Sequence, residues 1–174
     1  MKILIAYGST EGQTRKITEA LAAQICELGH EVEVFDTSGL PGGLHVESFD
    51  KIIVAGSVHD KQHQESLEIF VLSRLKQLQT MPTMFLSVSL AAAFEDGLAE
   101  AKGYVDSFLE KVGWCPTQSL LVAGAVRHGE YGYYREQILE HVVLEGRALD
   151  DPTSDHEFTD WAFLARSIAE FVET

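Results

Sequence analysis

Short apolar runs alternate with longer segments of helical periodicity along this chain, and this alternation constrains its fold more than any other feature. The runs have the length and apolar content of strands buried on both faces, and helical spacing of apolar residues follows most of them. The candidate strands are Lys2–Tyr7, Glu31–Asp36, Lys51–Ala55, Thr83–Val88 and Ser119–Ala125. The candidate helices are Gln13–Leu28, Ser66–Gln79, Leu98–Val112 and Thr159–Glu173. The pattern predicts an α/β fold with a doubly wound five-stranded parallel sheet and helices on both faces.

The chain length of 174 residues favours one domain spanning 1–174. One segment, about 126–157, is far longer than the connections of about 2–6 residues that join strands to helices in this architecture. We interpret it as an insertion before the last helix. Its aromatic and glycine-rich stretch, 127–134, favours a functional role.

A polar loop follows the first candidate strand and opens the first helix, which is the arrangement of a phosphate-binding turn. The candidate binding residues are Ser9, Thr10, Glu11, Gly12, Gln13 and Thr14. The loop has no Lys of a P-loop and no G-x-G-x-x-G spacing, so it suits a single terminal phosphate held by neutral donors. An alternative interpretation is a capping box, in which Thr10 and Gln13 only begin an ordinary helix.

Two further loops are expected at the same edge, because ligands of open α/β sheets bind outside the carboxyl ends of the strands. The loop after the third strand offers Ser57, Val58 and His59. The loop after the fourth strand offers Ser87, Val88, Ser89 and Leu90. Small residues open both loops, so the backbone can approach a flat ring, and we predict that the two loops flank such a ring.

The histidines of the second loop do not predict a metal site. His59 and His63 stand four residues apart beside Asp60, but they follow a strand and have no third ligand at a suitable spacing. No side chain is predicted to act as a catalytic acid or base.

The charge balance restricts the partners. The formal net charge of −14 makes the average surface repel nucleic acids and anionic lipids, so a nucleic-acid partner is not expected. No apolar stretch approaches the length of a membrane span, and no secretory signal opens the chain. We expect a cytoplasmic protein with at most peripheral contact with the inner membrane.

The loop 9–14, the two further loops and the five-strand pattern resemble the flavodoxins. In that family a Thr/Ser-x-Thr-Gly-x-Thr loop holds the phosphate of FMN, and here Ser-Thr-Glu-Gly-Gln-Thr runs close to it, with Glu11 in place of a Thr. The resemblance implies that FMN is the cofactor.

Within the superfamily, the chain is most similar to the menaquinone-dependent protoporphyrinogen oxidase (dehydrogenase) family. The similarity lies in Gly-Gln-Thr-Arg at 12–15, Met-Pro at 81–82, Ala-Gly-Ala-Val-Arg at 123–127 and Thr-Asp-Trp at 159–161. It implies an FMN-dependent oxidoreductase of haem biosynthesis that oxidises protoporphyrinogen IX and transfers the electrons to a quinone.

Two other functions stay open. A flavodoxin-type electron shuttle would dock a basic redox protein, and the acidic charge balance favours it, as do carboxylates such as Glu95 and Asp96 where the oxidase family tends to have basic residues. The insertion and the family-specific segments favour the oxidase. A flavodoxin-like binding module without cofactor is the third interpretation, and the intact donors of the first loop weigh against it.

Overall fold

A computed structural model describes residues 1–39, 43–126 and 155–174. Its strands are β1 (Lys2–Gly8), β2 (Glu31–Asp36), β3 (Lys51–His59), β4 (Gln62–His63), β5 (Thr83–Ser89), β6 (Gln118–Ala123), β7 (Ala125–Val126) and β8 (His156–Glu157). Its α-helices are α1 (Gln13–Glu27), α2 (Glu65–Ser73), α3 (Leu75–Leu78), α4 (Leu98–Val112) and α5 (Trp161–Glu173). Most of the predicted insertion lies outside the described residues.

Five strands pair in parallel in the order β2-β1-β3-β5-β6, which confirms the predicted doubly wound sheet. The short β4 pairs antiparallel with the end of β3, and β7 pairs with β8 in a separate ribbon. The direction of strand order reverses between β1 and β3, so their carboxyl ends border the crevice where ligands bind in sheets of this type.

The sheet is covered on both faces. On one face, β-strand residues such as Ile5 and Leu86 form a buried cluster with Ile17 of α1 and Ile168 of α5. On the other face, a second cluster joins strand residues to α2 and α4 and includes the stacked rings of Phe85 and Phe108. The central strands β1, β3 and β5 are therefore buried on both sides, which explains their continuous apolar sequences.

Several predicted boundaries are wrong, among them the end of the third strand, which is predicted at Ala55 and lies at His59. The helix predicted over 66–79 is broken at Arg74, whose backbone leaves the helical region at φ −125° and ψ 15°. The last strand, predicted over 119–125, ends at Ala123, and Ala125 begins the ribbon with β8. The last helix, predicted from Thr159, begins at Trp161, and Asp160 caps it by accepting a hydrogen bond from the backbone N–H of Phe163 at 2.9 Å.

No described helix is long and apolar enough to cross a membrane.

Candidate functional site

The loops predicted from three separate parts of the sequence begin side by side. Gly8 at the end of β1 is in register with Gly56 of β3, and Gly56 is in register with Ser87 of β5. Parallel strands bring their carboxyl ends to one edge of the sheet. Residues 8–14, the end of β3 and the end of β5 therefore border one crevice.

The first turn of α1 has an open amino end. Gly12 precedes the helix with φ +88°, a left-handed conformation that favours glycine, and its N–H donates to Ser9 Oγ at 3.0 Å. The first helical hydrogen bond runs from the N–H of Lys16 to the carbonyl of Gly12, so the N–H groups of Thr14 and Arg15 precede the helical ladder. The positive end of the helix dipole faces the same place.

The capping-box interpretation of this turn is wrong. Gly12 holds the N-cap position and no side chain caps the helix, while the Thr10 hydroxyl oxygen accepts from Gln64 Nε2 at 3.0 Å. The Gln13 side chain does not turn back to Thr10 either. It donates to Thr159 Oγ1 at 3.0 Å and to Glu157 Oε2 at 3.1 Å.

The hydroxyl of Thr14 is buried and has no hydrogen-bond partner among the described residues. Thr14 is 1% exposed and lies in the first turn of α1. A buried hydroxyl without a hydrogen-bond partner lowers the free energy of unfolding by about 1–3 kcal/mol. A ligand oxygen that accepts a hydrogen bond from it recovers that cost. The unpaired hydroxyl, the two N–H groups and the helix dipole together form a site suited to a phosphate group.

The segment before α5 is joined to the start of α1. Glu157 accepts hydrogen bonds from Lys16 Nζ, Gln13 Nε2 and, at 2.8 Å, Trp161 Nε1. Lys16 also lies over the Trp161 ring, 5.5 Å from its centroid. The hydrogen bond from Lys16 is the main cause that lowers the pKa of Glu157 to about 2. Gln13, predicted as a phosphate ligand, thus uses its side chain to hold the chain that follows the insertion.

Replacing Glu157 by Gln is expected to lower the free energy of unfolding by about 1 kcal/mol at pH 7, as is typical of a partly exposed ion pair. The folded pKa of about 2 lies below the ordinary 4.5, so this contribution is present above pH 4.5 and is lost as pH falls towards 2. Urea unfolding of both proteins between pH 7 and pH 2.5 measures the difference. Glu27→Gln, at the other end of α1, is the control, and an equal pH dependence of the two variants would contradict the assignment.

The second loop is a hairpin, not an irregular loop. β3 continues to His59 and returns as β4 through Asp60 and Lys61, whose φ angles of +48° and +65° match a two-residue turn with both residues left-handed. His59 pairs with Gln62 and Val58 pairs with His63, so His59 and His63 point to opposite faces of the hairpin.

Glu11, the acid of the phosphate loop, is turned towards this hairpin. Its carboxylate lies 3.1 Å from Nδ1 of His59, and Asp60 lies 3.2 Å from Nε2 of the same ring. A ring nitrogen that carries a proton can donate to the carboxylate beside it. The pair Glu11–His59 therefore ties the loop after β1 to the hairpin after β3 and gives the acidic side chain a partner of its own.

His63 belongs to the packed face of the sheet. Its Nε2 lies 2.9 Å from Ser87 Oγ, and its ring packs against Phe85 and Phe108 at centroid distances of 5.2 and 4.8 Å. Burial lowers the pKa of His63 to about 4, so the ring is neutral near pH 7. The described residues contain no group of three His, Cys, Asp or Glu side chains that could hold a metal ion.

The predicted residues of the third loop lie mostly inside the strand. Ser87 bonds to His63, Val88 packs in the core, and Ser89 Oγ accepts from the N–H of Ala92 at 3.2 Å. Only Leu90 of this set lies beyond the strand and is partly exposed. The chain then continues through two short 3-10 turns, Ala91–Ala93 and Glu95–Gly97.

Gln64 also borders the crevice, and the sequence did not indicate it. It follows β4 and donates to the hydroxyls of Thr10 and Ser57, while the N–H of Thr10 reaches Ser57 Oγ at 3.4 Å. A sequence typical of a hairpin turn at 60–61 would have predicted the hairpin, and with it the position of Gln64 near the end of β1. Asp-Lys is not a typical dipeptide for such a turn, so the signal was missing.

The flavodoxin domain family matches residues 4–153, which is most of the chain. The chain belongs to this family. The flavodoxin fold is shared with flavodoxin 1 and flavodoxin 2 of Bacillus cereus, at 16% and 18% identity and TM-scores of 0.58 and 0.59. The alignments cover 99% of this chain and 98% and 99% of theirs.

Curated relatives of this flavodoxin-family chain include two enzymes from distant organisms. It is 28% identical to protoporphyrinogen IX dehydrogenase [quinone] of Escherichia coli K12 over 99% of this chain and 97% of that one. It is 25% identical to the Leishmania major protein of the same name over 98% of this chain and 74% of that one.

Proposed function

We propose that this flavodoxin-family protein is an FMN-dependent oxidoreductase that oxidises a porphyrinogen and reduces a quinone. The buried, unpaired hydroxyl of Thr14 at the open end of α1 carries the cofactor part of the proposal. A terminal phosphate would accept hydrogen bonds from this hydroxyl and from the backbone N–H groups of the first helical turn.

The FMN phosphate would be held by residues 9–14. Ser9, Thr10 and Thr14 offer hydroxyls, whereas Gly12 offers close backbone approach. Gln13 would contribute its backbone, because its side chain is bonded to Thr159 and Glu157. The Glu11 carboxylate lies 3.1 Å from His59 Nδ1, so Glu11 would contribute its backbone to the phosphate site.

The ring of FMN would lie between the hairpin and the end of β5. Ser57, Val58 and His59 border one side and Leu90 the other. Ser87, Val88 and Ser89 would contribute backbone atoms, since their side chains are engaged by His63, the core and the N–H of Ala92.

The two relatives named protoporphyrinogen IX dehydrogenase [quinone], which match nearly the whole of this chain, support the reaction. When bound, FMN would supply the two-electron redox chemistry of the reaction. The protein's part is to bind and orient, and none of its described side chains is assigned a proton-transfer role.

Electron shuttling is the second candidate function. The formal net charge of −14 favours it, because an acidic surface steers a basic redox protein into a small, salt-sensitive complex. A shuttle would bind FMN at the same place and would not oxidise a porphyrinogen.

The two functions are separated by assaying one purified protein twice. We expect a visible flavin spectrum, release of FMN on denaturation, and anaerobic oxidation of protoporphyrinogen IX with a soluble quinone analogue. Reduction of a cytochrome is measured beside it at low and high salt. A flavin-loaded protein that reduces the cytochrome in a salt-sensitive way and leaves the porphyrinogen untouched would replace the oxidase with the shuttle.

A shortened insertion tests where partner choice lies. Residues 127–154 are replaced by a few Gly and Ser residues, which retains the pairing of β7 with β8 and the bonds of Glu157. We expect FMN binding to persist and porphyrinogen oxidation to be lost. Full porphyrinogen activity in the shortened protein would exclude the insertion from substrate recognition.

A further inference from the structure

Gln64 lies across the two glycines that border the crevice. A Cβ placed on Gly8 would be 2.9 Å from Gln64 Oε1, and one placed on Gly56 would be 3.6 Å from the same atom. The first distance is shorter than real Cβ contacts allow. The missing side chain of Gly8 thus leaves room for the amide of Gln64, whereas a Cβ on Gly56 would first meet Leu67, at 2.5 Å.

The amide nitrogen of Gln64 connects the two sides of the crevice. It donates to Thr10 Oγ1 at 3.0 Å, in the loop after β1, and to Ser57 Oγ at the end of β3. The N–H of Thr10 also donates to Ser57 Oγ at 3.4 Å. One side chain therefore holds residues predicted to bind two different parts of the cofactor.

With the nitrogen of the Gln64 amide turned towards Thr10 and Ser57, the direction of two protons follows. A hydroxyl has one proton and two lone pairs. Ser57 Oγ accepts two hydrogen bonds, from Gln64 and from Thr10, so its lone pairs are used and its proton must point elsewhere. The Thr10 oxygen accepts from Gln64 and likewise keeps its proton for another acceptor.

We propose that Gln64 is a positioning residue that directs the hydroxyl protons of Thr10 and Ser57 towards bound FMN, with Thr10 donating to the phosphate. The inference rests on the proposed FMN binding. Gln64 acts through the two hydroxyls and makes no contact with the cofactor itself.

Gln64→Met removes the donor while keeping length and charge. Without it the hydroxyls rotate freely, and we expect the Kd for FMN to rise about tenfold, the effect of one weakened hydrogen bond to a charged group. The affinity for riboflavin, which lacks the phosphate, should fall about threefold or less. Gln64→Glu turns the donor into an acceptor and adds a negative charge, so it should weaken FMN more than Gln64→Met does.

A double-mutant cycle with Thr10→Val separates positioning from general damage. If Gln64 acts through the Thr10 hydroxyl, Gln64→Met should change FMN affinity less than threefold in the Thr10→Val background. Gln62→Glu, an exposed change on the same hairpin, is the charge control and should leave FMN affinity within about twofold.

Circular dichroism and urea unfolding of the apoproteins establish that each variant folds, and Gln64→Asn replaces Gln64→Met if the latter does not. The inference is overturned if Gln64→Met lowers FMN affinity by the same factor in the wild-type and Thr10→Val backgrounds. It is also overturned if Gln64→Met lowers the affinities for FMN and riboflavin equally. Failure of wild-type protein to bind either flavin would instead overturn the proposed function.

Discussion

A variant carrying both Thr10→Ala and Thr14→Val is expected to bind FMN about 100- to 10,000-fold more weakly than the wild-type protein. Each substitution removes a hydroxyl that would donate to the phosphate, and a hydrogen bond to a charged group contributes about 1.5–3 kcal/mol. Two such bonds give about 3–6 kcal/mol, at about 1.4 kcal/mol for each factor of ten. Titration of the apoprotein with FMN, followed by flavin fluorescence, measures the change.

Thr14→Val alone should leave the stability of the apoprotein unchanged or raise it. Thr14→Val replaces a buried hydroxyl that has no described partner by a methyl group of similar size, so unfolding of the apoprotein should be as hard as before or harder. Thr18→Val is the matched control one turn further along α1. Its hydroxyl donates to the carbonyl of Arg15 at 2.9 Å, away from the loop, and FMN affinity should be unaffected. Undiminished affinity in the Thr10/Thr14 double variant would reject residues 9–14 as the phosphate site.

Gly97→Ala is expected to destabilise the protein by about 3 kcal/mol, which lowers the Tm by about 6–12 °C in a chain of this size. A Cβ at Gly97 would lie 2.3 Å from the carbonyl oxygen of Ala91. The obstacle is backbone and not the end of a flexible side chain, so the two 3-10 turns after β5 would have to separate. Calorimetry of the apoprotein gives the Tm, and FMN titration shows whether the displaced loop weakens the ring site.

Gly103→Ala is the control for this substitution. Gly103 lies inside α4 and a Cβ there would meet nothing within 4 Å, so the gain in helix propensity should raise stability by about 0.5–1 kcal/mol. Stability changes of opposite sign for Gly97→Ala and Gly103→Ala would support the described packing of the turns. A Gly97→Ala protein as stable as the wild type would contradict it.

Sequence reasoning located the edge of the site because strand ends are a local signal. Five apolar runs predicted the strands to within a few residues, and the parallel fold then brought Gly8, Gly56 and Ser87 together. No contact between them needed to be known in advance. Topology alone turned three distant segments into neighbours.

Side-chain partners could not be predicted in the same way. Gln13 bonds to Thr159 across 146 positions of sequence, and nothing in the helical periodicity of α1 indicates that contact. The hairpin at Asp60–Lys61 was missed because neither residue is a glycine or asparagine, although both adopt positive φ. Gln64 follows that hairpin, so its place beside Thr10 was missed with it.

The place of β2 at the end of the strand order has a consequence for association between molecules. An outer strand can pair with the same strand of a second copy and extend the sheet. Here the exposed Glu31 and Glu33 alternate with valines along β2. Antiparallel pairing of two such strands would bring carboxylates opposite one another, and like charges in that position oppose pairing. Repulsion at this border therefore opposes growth of the sheet through β2.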